Sequence, residues 1–425
     1  MELLEKILSK QNLNLAYKQV YKNKGASGVD GVTVDELFTY IKEYKEEILW
    51  KIRNRKYKPL PVRRVYIPKE NGKLRKLGIP SVIDRVLQQA IVQVLAPIYE
   101  EQFSNSSFGF RPNRCCEQAV IKALECFNDG YDWIVDIDLQ SFFDEVNQDK
   151  LMAIIHRTIK DDDVISLIRK FLQSGVMEKG IIQETKKGTP QGGNLSPLIS
   201  NIMLNELDKE LEKRGLNFVR YADDCLIMVK SEKAANRVME SITTFITKKL
   251  GLKVNLEKSK IARPNQIKYL GFGFYKKINQ NKWRPKPHIK SVQKFKTKLR
   301  GILIRSRSIS LDERFLKLKQ LIYGWVNYFR IADMKGILTS IDQNVRRKLR
   351  VIIWKQWKKI RKRYTCLRKL GITHRDAYVT ANSRRGYYHV SATRVLQTAI
   401  SKERLNKRGL VNSLDHYLKV HMITN

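Results

Sequence analysis

The chain has 425 residues, of which 82 are Lys or Arg and 42 are Asp or Glu, so its formal net charge is +40. This length supports two or three domains, and a hydrophobic content of 42% is that of a globular protein. The positive surplus predicts a polyanionic partner, of which nucleic acid is the commonest. No apolar run approaches the roughly 18–20 residues of a membrane-spanning helix, so we expect no membrane partner.

The five cysteines form no CxxC pair and match no zinc-site spacing. An odd number of cysteines without a disulfide framework predicts a reducing, intracellular compartment. The N-terminal residues have neither the apolar core of a signal peptide nor the composition of a transit peptide. We therefore expect a cytoplasmic protein.

Residues 1–60 are predicted to be helical, with a break at the glycine-rich segment 23–31. Alternating apolar residues on both sides of Glu70-Asn-Gly72 predict a β-hairpin. Ser81 then precedes Asp84 at the spacing of a helix N-terminus, followed by apolar residues at helical period. This first region therefore mixes helices with a hairpin.

Short apolar runs continue the mixed pattern. Residues 133–139 predict a buried strand, and a glycine-rich loop at 188–197 runs into a helix. The runs 218–221 and 225–229 predict the two strands of a hairpin. A strand at 269–274 is expected to complete the same unit. The predicted fold class is α+β.

From about residue 288 the pattern changes to three basic amphipathic helices, and Trp354 and Trp357 lie among the cations of the last one. A single basic helix face is usually only solvated. Three such helices with aromatic residues instead favour a cradle for a nucleic-acid backbone. The predicted nucleic-acid contacts in these helices are Lys290, Lys294, Lys298, Arg346, Arg347 and Arg350.

The acidic residues carry the chemistry. Asp223 and Asp224 lie between two apolar strands, and Asp138 ends a third. Nucleotidyl transfer uses two metal ions about 3.5–4 Å apart, and Mg²⁺ takes oxygen ligands. A plain turn, or an Asp paired with Arg, is the alternative, but three neighbouring buried carboxylates without a metal are costly. We predict that Asp138, Asp223 and Asp224 hold two Mg²⁺ ions, while the role of Asp136 stays open.

Other residues suit a nucleotide. Lys69 and Arg75 flank the predicted 70–72 turn, where an ammonium and a guanidinium suit a triphosphate, although surface charge alone also explains them. Phe143 is either a ring that excludes a ribose 2′-hydroxyl or a core residue. Gln191 lies in a glycine-rich loop and offers an amide to a nucleotide or template strand.

Taken in order, these segments resemble the reverse transcriptases encoded by bacterial group II introns. The segments that carry the resemblance are Gly25–Gly31, Ser107–Asn113, Asp136–Asp144, Gly188–Pro197, Tyr221–Asp224, Tyr269–Phe274 and Gly324–Phe329. These segments are spread from Gly25 to Phe329, across most of the chain.

The resemblance implies a right-hand polymerase, an RNA-directed DNA polymerase, with fingers and an antiparallel palm sheet at 1–287. A helical thumb with maturase function would occupy 288–360, and a small basic DNA-binding segment 361–425. The residue roles that it implies are metal ligation by Asp138, Asp223 and Asp224, deoxynucleotide (dNTP) binding by Lys69, Arg75, Phe143, Gln191 and Ala222, and support of the template or fingers by Arg111.

The expected partners are intron RNA, an RNA template with a DNA primer, target DNA and dNTPs. The expected function is splicing assistance and copying of the intron into DNA during retrohoming, in the cytoplasm and associated with the nucleoid. The chain lacks the Cys/His set of a C-terminal endonuclease and so resembles the short, class C-like lineage. Two alternatives stay open: an RNA-binding maturase without polymerase activity, and an intron-free reverse transcriptase used in host defence or repair.

Overall fold

The computed structural model describes residues 2–68, 72, 74–185, 187–190 and 192–421. The chain divides into two compact units between Arg263 and Pro264. Both units combine helices with strands, and the α+β class is confirmed. The functional boundaries at 287 and 360 stay predictions.

In the first unit, helices surround two four-stranded sheets. The helices are α1 (Leu3–Leu8), α2 (Lys10–Asn23), α3 (Leu37–Arg53), α4 (Val82–Glu100), α5 (Cys116–Asn128), α6 (Phe142–Glu145), α7 (Gln148–Thr158), α8 (Asp162–Leu172), α9 (Ser196–Lys213) and α10 (Glu232–Phe245). The strands are β1 (Val62–Pro68), β2 (Leu74–Ile79), β3 (Trp133–Ile137), β4 (Val176–Glu178), β5 (Ile181–Gln183), β6 (Asn217–Tyr221), β7 (Asp224–Val229) and β8 (Lys260–Ala262).

The first sheet has the strand order β2-β1-β4-β5. β1 and β2 are antiparallel, with Ile67 opposite Arg75, which confirms the predicted hairpin. β1 also pairs in parallel with β4 through Val62 and Val176. Of the turn residues, Glu70 lies outside the described part of the chain, as does Asn71.

The second sheet has the order β6-β7-β3-β8, and all its pairs are antiparallel. β3 lies between β7 and β8, and Ile134, Val135 and Ile137 are at most 1% exposed. An inner strand covered on both faces needs apolar residues throughout, which explains the continuous apolar run. Both the buried strand and the 218–229 hairpin are confirmed.

Helices α2 and α4 pack closely because small residues meet between them. Ala16 and Ala90 are fully buried, and the Asn12 side-chain amide donates to the Ala90 carbonyl at 3.0 Å. At the start of α4, the Ser81 hydroxyl accepts from the Asp84 N–H at 3.1 Å, which confirms the predicted cap. None of the helices in the described ranges has both the length and the apolar character needed to span a bilayer.

The second unit contains a two-stranded sheet and a bundle of helices. Its elements are β9 (Phe272–Lys277), β10 (Lys282–Pro287), α11 (Ile289–Ile302), α12 (Leu311–Tyr328), α13 (Lys335–Gln356), α14 (Ile360–Lys369), α15 (His374–Ala381), α16 (Tyr387–Val390), α17 (Arg394–Ala399), α18 (Lys402–Lys407) and α19 (Ser413–Val420). The three basic helices predicted from residue 288 are confirmed as α11, α12 and α13.

The prediction of a strand at 269–274 was wrong in its extent and in the unit to which it belongs. The strand begins at Phe272 and pairs with β10 inside the second unit, so it does not complete the first. Asn281, with φ of 49°, closes the connection between the two strands. A partner only a few residues away costs little loop entropy, and this favours the local hairpin.

Aromatic stacking and one buried carboxylate hold the second unit together. The Phe295 and Trp325 rings stack with centroids 4.4 Å apart. Asp342 of α13 accepts from the backbone N–H of Ser413 at 2.9 Å and of Leu414 at 3.0 Å. The carboxylate thus satisfies the free N–H groups at the start of α19 and joins it to α13.

Candidate active site

The end of β3 and the turn of the β6–β7 hairpin bring four carboxylates into electrostatic contact. Asp136 lies on β3, Asp138 follows that strand, and Asp223 precedes Asp224 at the start of β7. Burial, followed by the charge of Asp223 and then those of Asp136 and Asp138, raises the pKa of Asp224 to about 6. Asp224 is nevertheless accessible at the surface, so the cluster is open to solutes.

Asp136 belongs to the same cluster. Burial raises its pKa to about 6, against the opposing charge of Lys260, and the charge of Asp138 adds to the rise. Like charges this close disfavour simultaneous ionisation. The arrangement therefore concentrates negative charge that a cation would stabilise.

The segment 255–259 positions Asp138. The Ser259 hydroxyl accepts from the Asp138 N–H at 3.0 Å, and the Asn255 N–H donates to the Asp138 carbonyl at 2.8 Å. The Lys258 ammonium lies 3.1 Å from a carboxylate oxygen of Asp138. Sequence reasoning missed Lys258 because no motif or periodicity marks it. Within the described ranges, no three His, Cys, Asp or Glu side chains form a ready-made metal-binding group.

The turn that carries Asp223 is strained and then stabilised. Tyr221 pairs with Asp224, so Ala222 and Asp223 form the turn. Ala222 has φ of 58°, a left-handed conformation that costs a residue with a Cβ about 1–2 kcal/mol. The Arg220 guanidinium donates to the Ala222 carbonyl at 2.9 Å. This bond holds the backbone in the conformation that presents Asp223.

A buried ion pair fixes Arg220 in turn. Its guanidinium donates to both carboxylate oxygens of Asp208 on α9, at 2.7 and 2.6 Å, and to the Asn201 side-chain oxygen at 3.0 Å. The Arg220 and Asp208 side chains are 1% and 0% exposed. The sequence did contain a sign of this network, because Arg220 is a charged residue in an otherwise buried apolar strand and so requires a buried partner. Sequence reasoning did not use it.

The 107–111 segment supports the same turn from the other side. A Cβ at Gly109 would lie 2.3 Å from the Ala222 nitrogen, so only glycine fits there. The Arg111 guanidinium donates to the Ser107 carbonyl at 2.9 Å and pairs with Glu100 at 2.7 Å. Arg111 is 7% exposed. Its contacts in the structure are therefore with the protein itself, and its role at the template or fingers stays a prediction.

The predicted nucleotide-binding residues come from neighbouring segments of this unit. The Phe143 carbonyl accepts from the Thr189 N–H at 2.6 Å, which places α6 beside the 188–190 loop. A Cβ at Gly192 would lie 2.5 Å from the Gly78 carbonyl oxygen, so that loop also touches β2. Arg75 is exposed on β2. Two predicted contacts, Lys69 and Gln191, lie outside the described residues.

In the second unit, the three arginines predicted on α13 contact the C-terminal segment of the chain. The Arg346 guanidinium donates to the Asn412 side chain at 3.2 Å, and that of Arg347 lies 3.7 Å from the centre of the Tyr388 ring. Arg350 is 9% exposed and donates to a backbone carbonyl. Their nucleic-acid contacts stay predictions. The lysines predicted on α11 are all exposed: Lys290, Lys294 and Lys298.

Comparison with known proteins gives two family matches and a solved structure with limited similarity. The family described as reverse transcriptase (RNA-dependent DNA polymerase) matches residues 67–274. The family described as group II intron, maturase-specific domain matches residues 292–371. A chain of the solved partial Cas6-RT-Cas1–Cas2 complex matches with a TM-score of 0.37 and 22% identity, over 58% of this chain and 43% of that one.

Two curated bacterial proteins are similar in sequence. Protein YkfC of Escherichia coli (strain K12) is 34% identical over 303 residues, which cover 62% of this chain and 80% of that protein. The group II intron-encoded protein LtrA of Lactococcus lactis subsp. cremoris is 33% identical over 324 residues, which cover 61% of this chain and about half (54%) of that protein. The chain therefore belongs to the reverse transcriptase and maturase family of group II intron-encoded proteins, whose catalytic part is an RNA-directed DNA polymerase.

Proposed function

We propose that this protein is the RNA-directed DNA polymerase of a group II intron, which also binds the intron RNA to assist splicing and copies it into DNA during retrohoming. The carboxylate cluster at the end of β3 and the β6–β7 turn carries the proposal. The net charge of +40 supports a nucleic-acid partner.

Asp138, Asp223 and Asp224 would hold two Mg²⁺ ions. The carboxylates supply the oxygen ligands that Mg²⁺ prefers. Asp224 is partly desolvated and lies among the charges of Asp223, Asp136 and Asp138, and bound divalent cations would offset this concentration of negative charge. When bound, the metals would activate the primer hydroxyl and neutralise the leaving pyrophosphate. These three carboxylates are therefore chemically suitable ligands for Mg²⁺.

The rest of this unit would orient the substrates. The Arg220–Asp208 pair keeps the Ala222 backbone fixed, so that Asp223 and Asp224 stay aligned as the primer end approaches. Phe143 would close the space beside the sugar 2′ position and favour dNTPs. Lys69 and Arg75 would bind the triphosphate, with Gln191 and Ala222 beside the nucleotide.

The basic second unit would bind nucleic acid. Lys290, Lys294 and Lys298 are exposed on α11, where they would contact phosphates. We propose contacts with intron RNA and with the template–primer duplex, and contacts of the C-terminal segment with target DNA. We also propose a cytoplasmic, nucleoid-associated protein of the class C-like lineage.

Primer extension tests the proposal. Wild-type protein is incubated with poly(rA)/oligo(dT), Mg²⁺ and labelled dTTP, beside Asp223→Ala and the control Asp149→Ala, whose exposed carboxylate lies on α7. We expect incorporation by the wild type and the control, and none by Asp223→Ala. Intron RNA affinity, measured by filter binding, should stay within a few-fold in all three proteins.

Each failure has a distinct meaning. Folded wild type that binds intron RNA but makes no DNA would identify an RNA-binding maturase without polymerase activity. Equal loss of DNA synthesis and RNA binding in Asp223→Ala would show that the turn is structural. Active polymerase without affinity for the intron RNA would favour a reverse transcriptase that works in defence or repair.

A further inference from the structure

A cleft between α11 and α13 in the second unit has no assigned role. Its volume is about 230 Å³, many times the roughly 10–15 Å³ that one ordered water needs. Its floor is apolar and its walls are cationic and polar. The lining residues are Lys296, Leu299, Arg300, Leu303, Ser340, Ile341, Asn344, Val345 and Lys348.

Three cations face this cleft without a counter-charge. Lys296, Arg300 and Lys348 make no ion pair with any carboxylate in the described part of the chain. Partial burial lowers the pKa of Lys348, and the charge of Arg300 lowers it further. A partly desolvated ammonium beside a second cation is unfavourable unless an anion joins them. The cleft is therefore prepared for an anionic group.

The cleft differs from the surface that sequence reasoning selected on α11. At about 100° per residue, Lys294 and Lys298 lie on roughly the opposite side of the helix from Lys296. The apolar stripe, with Val292, Phe295 and Leu299 buried, separates the two sets. The protein thus presents two distinct cationic faces on one helix.

We propose that this cleft binds a phosphodiester of single-stranded RNA together with its neighbouring ribose. Lys296, Arg300 and Lys348 would bind the phosphate oxygens. Ser340 and Asn344 provide uncharged donors and acceptors, which suit a 2′-hydroxyl. The apolar floor suits the face of a sugar better than a fully hydrated small anion. The inference deepens the proposed function, because it rests on RNA binding by this chain.

Two charge-removal variants of the full-length protein test the inference. The cleft variant carries Lys296→Gln, Arg300→Gln and Lys348→Gln. The matched control removes the same number of charges at exposed positions of the first unit, from α10 and from the π-helical segment Ile246–Leu250 that follows it. Its substitutions are Lys233→Gln, Arg237→Gln and Lys248→Gln. Affinity for a 20-nucleotide single-stranded RNA is measured from 50 to 300 mM salt, and so is affinity for DNA of the same sequence.

We expect the cleft variant to bind RNA at least tenfold more weakly than the control at 150 mM salt. Its slope of log affinity against log salt should fall by about 0.7, the contribution of one single-strand phosphate contact. A second variant, Ser340→Ala with Asn344→Ala, keeps every charge. It should reduce the preference for RNA over DNA without changing the salt slope.

The outcomes separate the inference from the proposed function. If the cleft and control variants lose the same amount of RNA affinity, the proposal that the cleft binds RNA is refuted, while the proposal that this protein binds RNA still holds. Wild type without affinity for RNA would overturn both. Competition by millimolar inorganic phosphate against wild type, absent in the cleft variant, would show a site for small anions and refute the RNA assignment.

Discussion

The buried pair Arg220–Asp208 offers a test of how the active-site turn is held. Asp208→Asn keeps the side-chain shape but removes the negative charge, and it leaves the fully buried Arg220 guanidinium without a counter-ion. Removing one partner of a buried ion pair costs about 3–5 kcal/mol. We expect a loss of that size in the free energy of unfolding of the first unit.

The assay is urea denaturation followed by Trp fluorescence and circular dichroism. The control is Glu206→Gln, on the same helix as Asp208. It breaks the more exposed ion pair with Arg157 of α7, whose charged atoms lie 2.8 Å apart. That change should cost less than about 1 kcal/mol. A double variant, Asp208→Leu with Arg220→Met, should recover most of the stability because it buries no charge.

DNA synthesis should be impaired in the double variant in spite of its recovered stability, because it lacks the Arg220 guanidinium that donates to the Ala222 carbonyl. The reasoning is refuted if Asp208→Asn destabilises the protein no more than Glu206→Gln does. Full polymerase activity in the double variant would refute the positioning role of the pair.

Three further predictions follow from buried or closely packed residues. Burial raises the pKa of Asp84 to about 6, so the folded state binds the carboxyl proton more tightly than the unfolded state does. Protonation of Asp84 therefore contributes about 3 kcal/mol to the free energy of unfolding. This contribution is fully present below about pH 4 and is lost as the pH rises through 6. Asp84→Asn should flatten that part of a pH–stability curve. Phe143→Ala should admit ribonucleotides, and unchanged sugar selectivity in primer extension would contradict the gate. Gly192→Ala should reduce kcat/KM for dNTPs at least tenfold, because its Cβ meets the Gly78 carbonyl oxygen at 2.5 Å; wild-type kinetics would show that the loop does not need this approach.

Local patterns were sufficient for most of the elements. Apolar runs predicted β3 and the β6–β7 hairpin, and the carboxylates beside them predicted the cluster. The assignment of β9 to the first unit was wrong because periodicity identifies a strand but not the strand with which it pairs. The break between Arg263 and Pro264 follows from that pairing.

Contacts between distant residues were beyond sequence reasoning. Arg220 lies on β6 and Asp208 on α9, and neither sequence segment indicates that these two residues pair. Lys258 reaches Asp138 only because β8 pairs with β3. Arg111 and Arg350 were predicted to contact nucleic acid. In the structure both are buried, and they bond to other groups of the protein. In so basic a chain, charge alone does not distinguish a structural arginine from a binding one.

The strand order of the second sheet has a consequence for synthesis on the ribosome. β3 pairs with β8, with Ile134 opposite Ala262, so the central strand waits for a partner made much later. At about 5–20 residues per second, the delay is roughly 6–25 seconds. During that time one edge of the apolar β3 has no partner strand, and Asp138 lacks the 255–259 segment that orients it. The nascent chain is therefore inactive and prone to aggregation until nearly all of the first unit has left the ribosome.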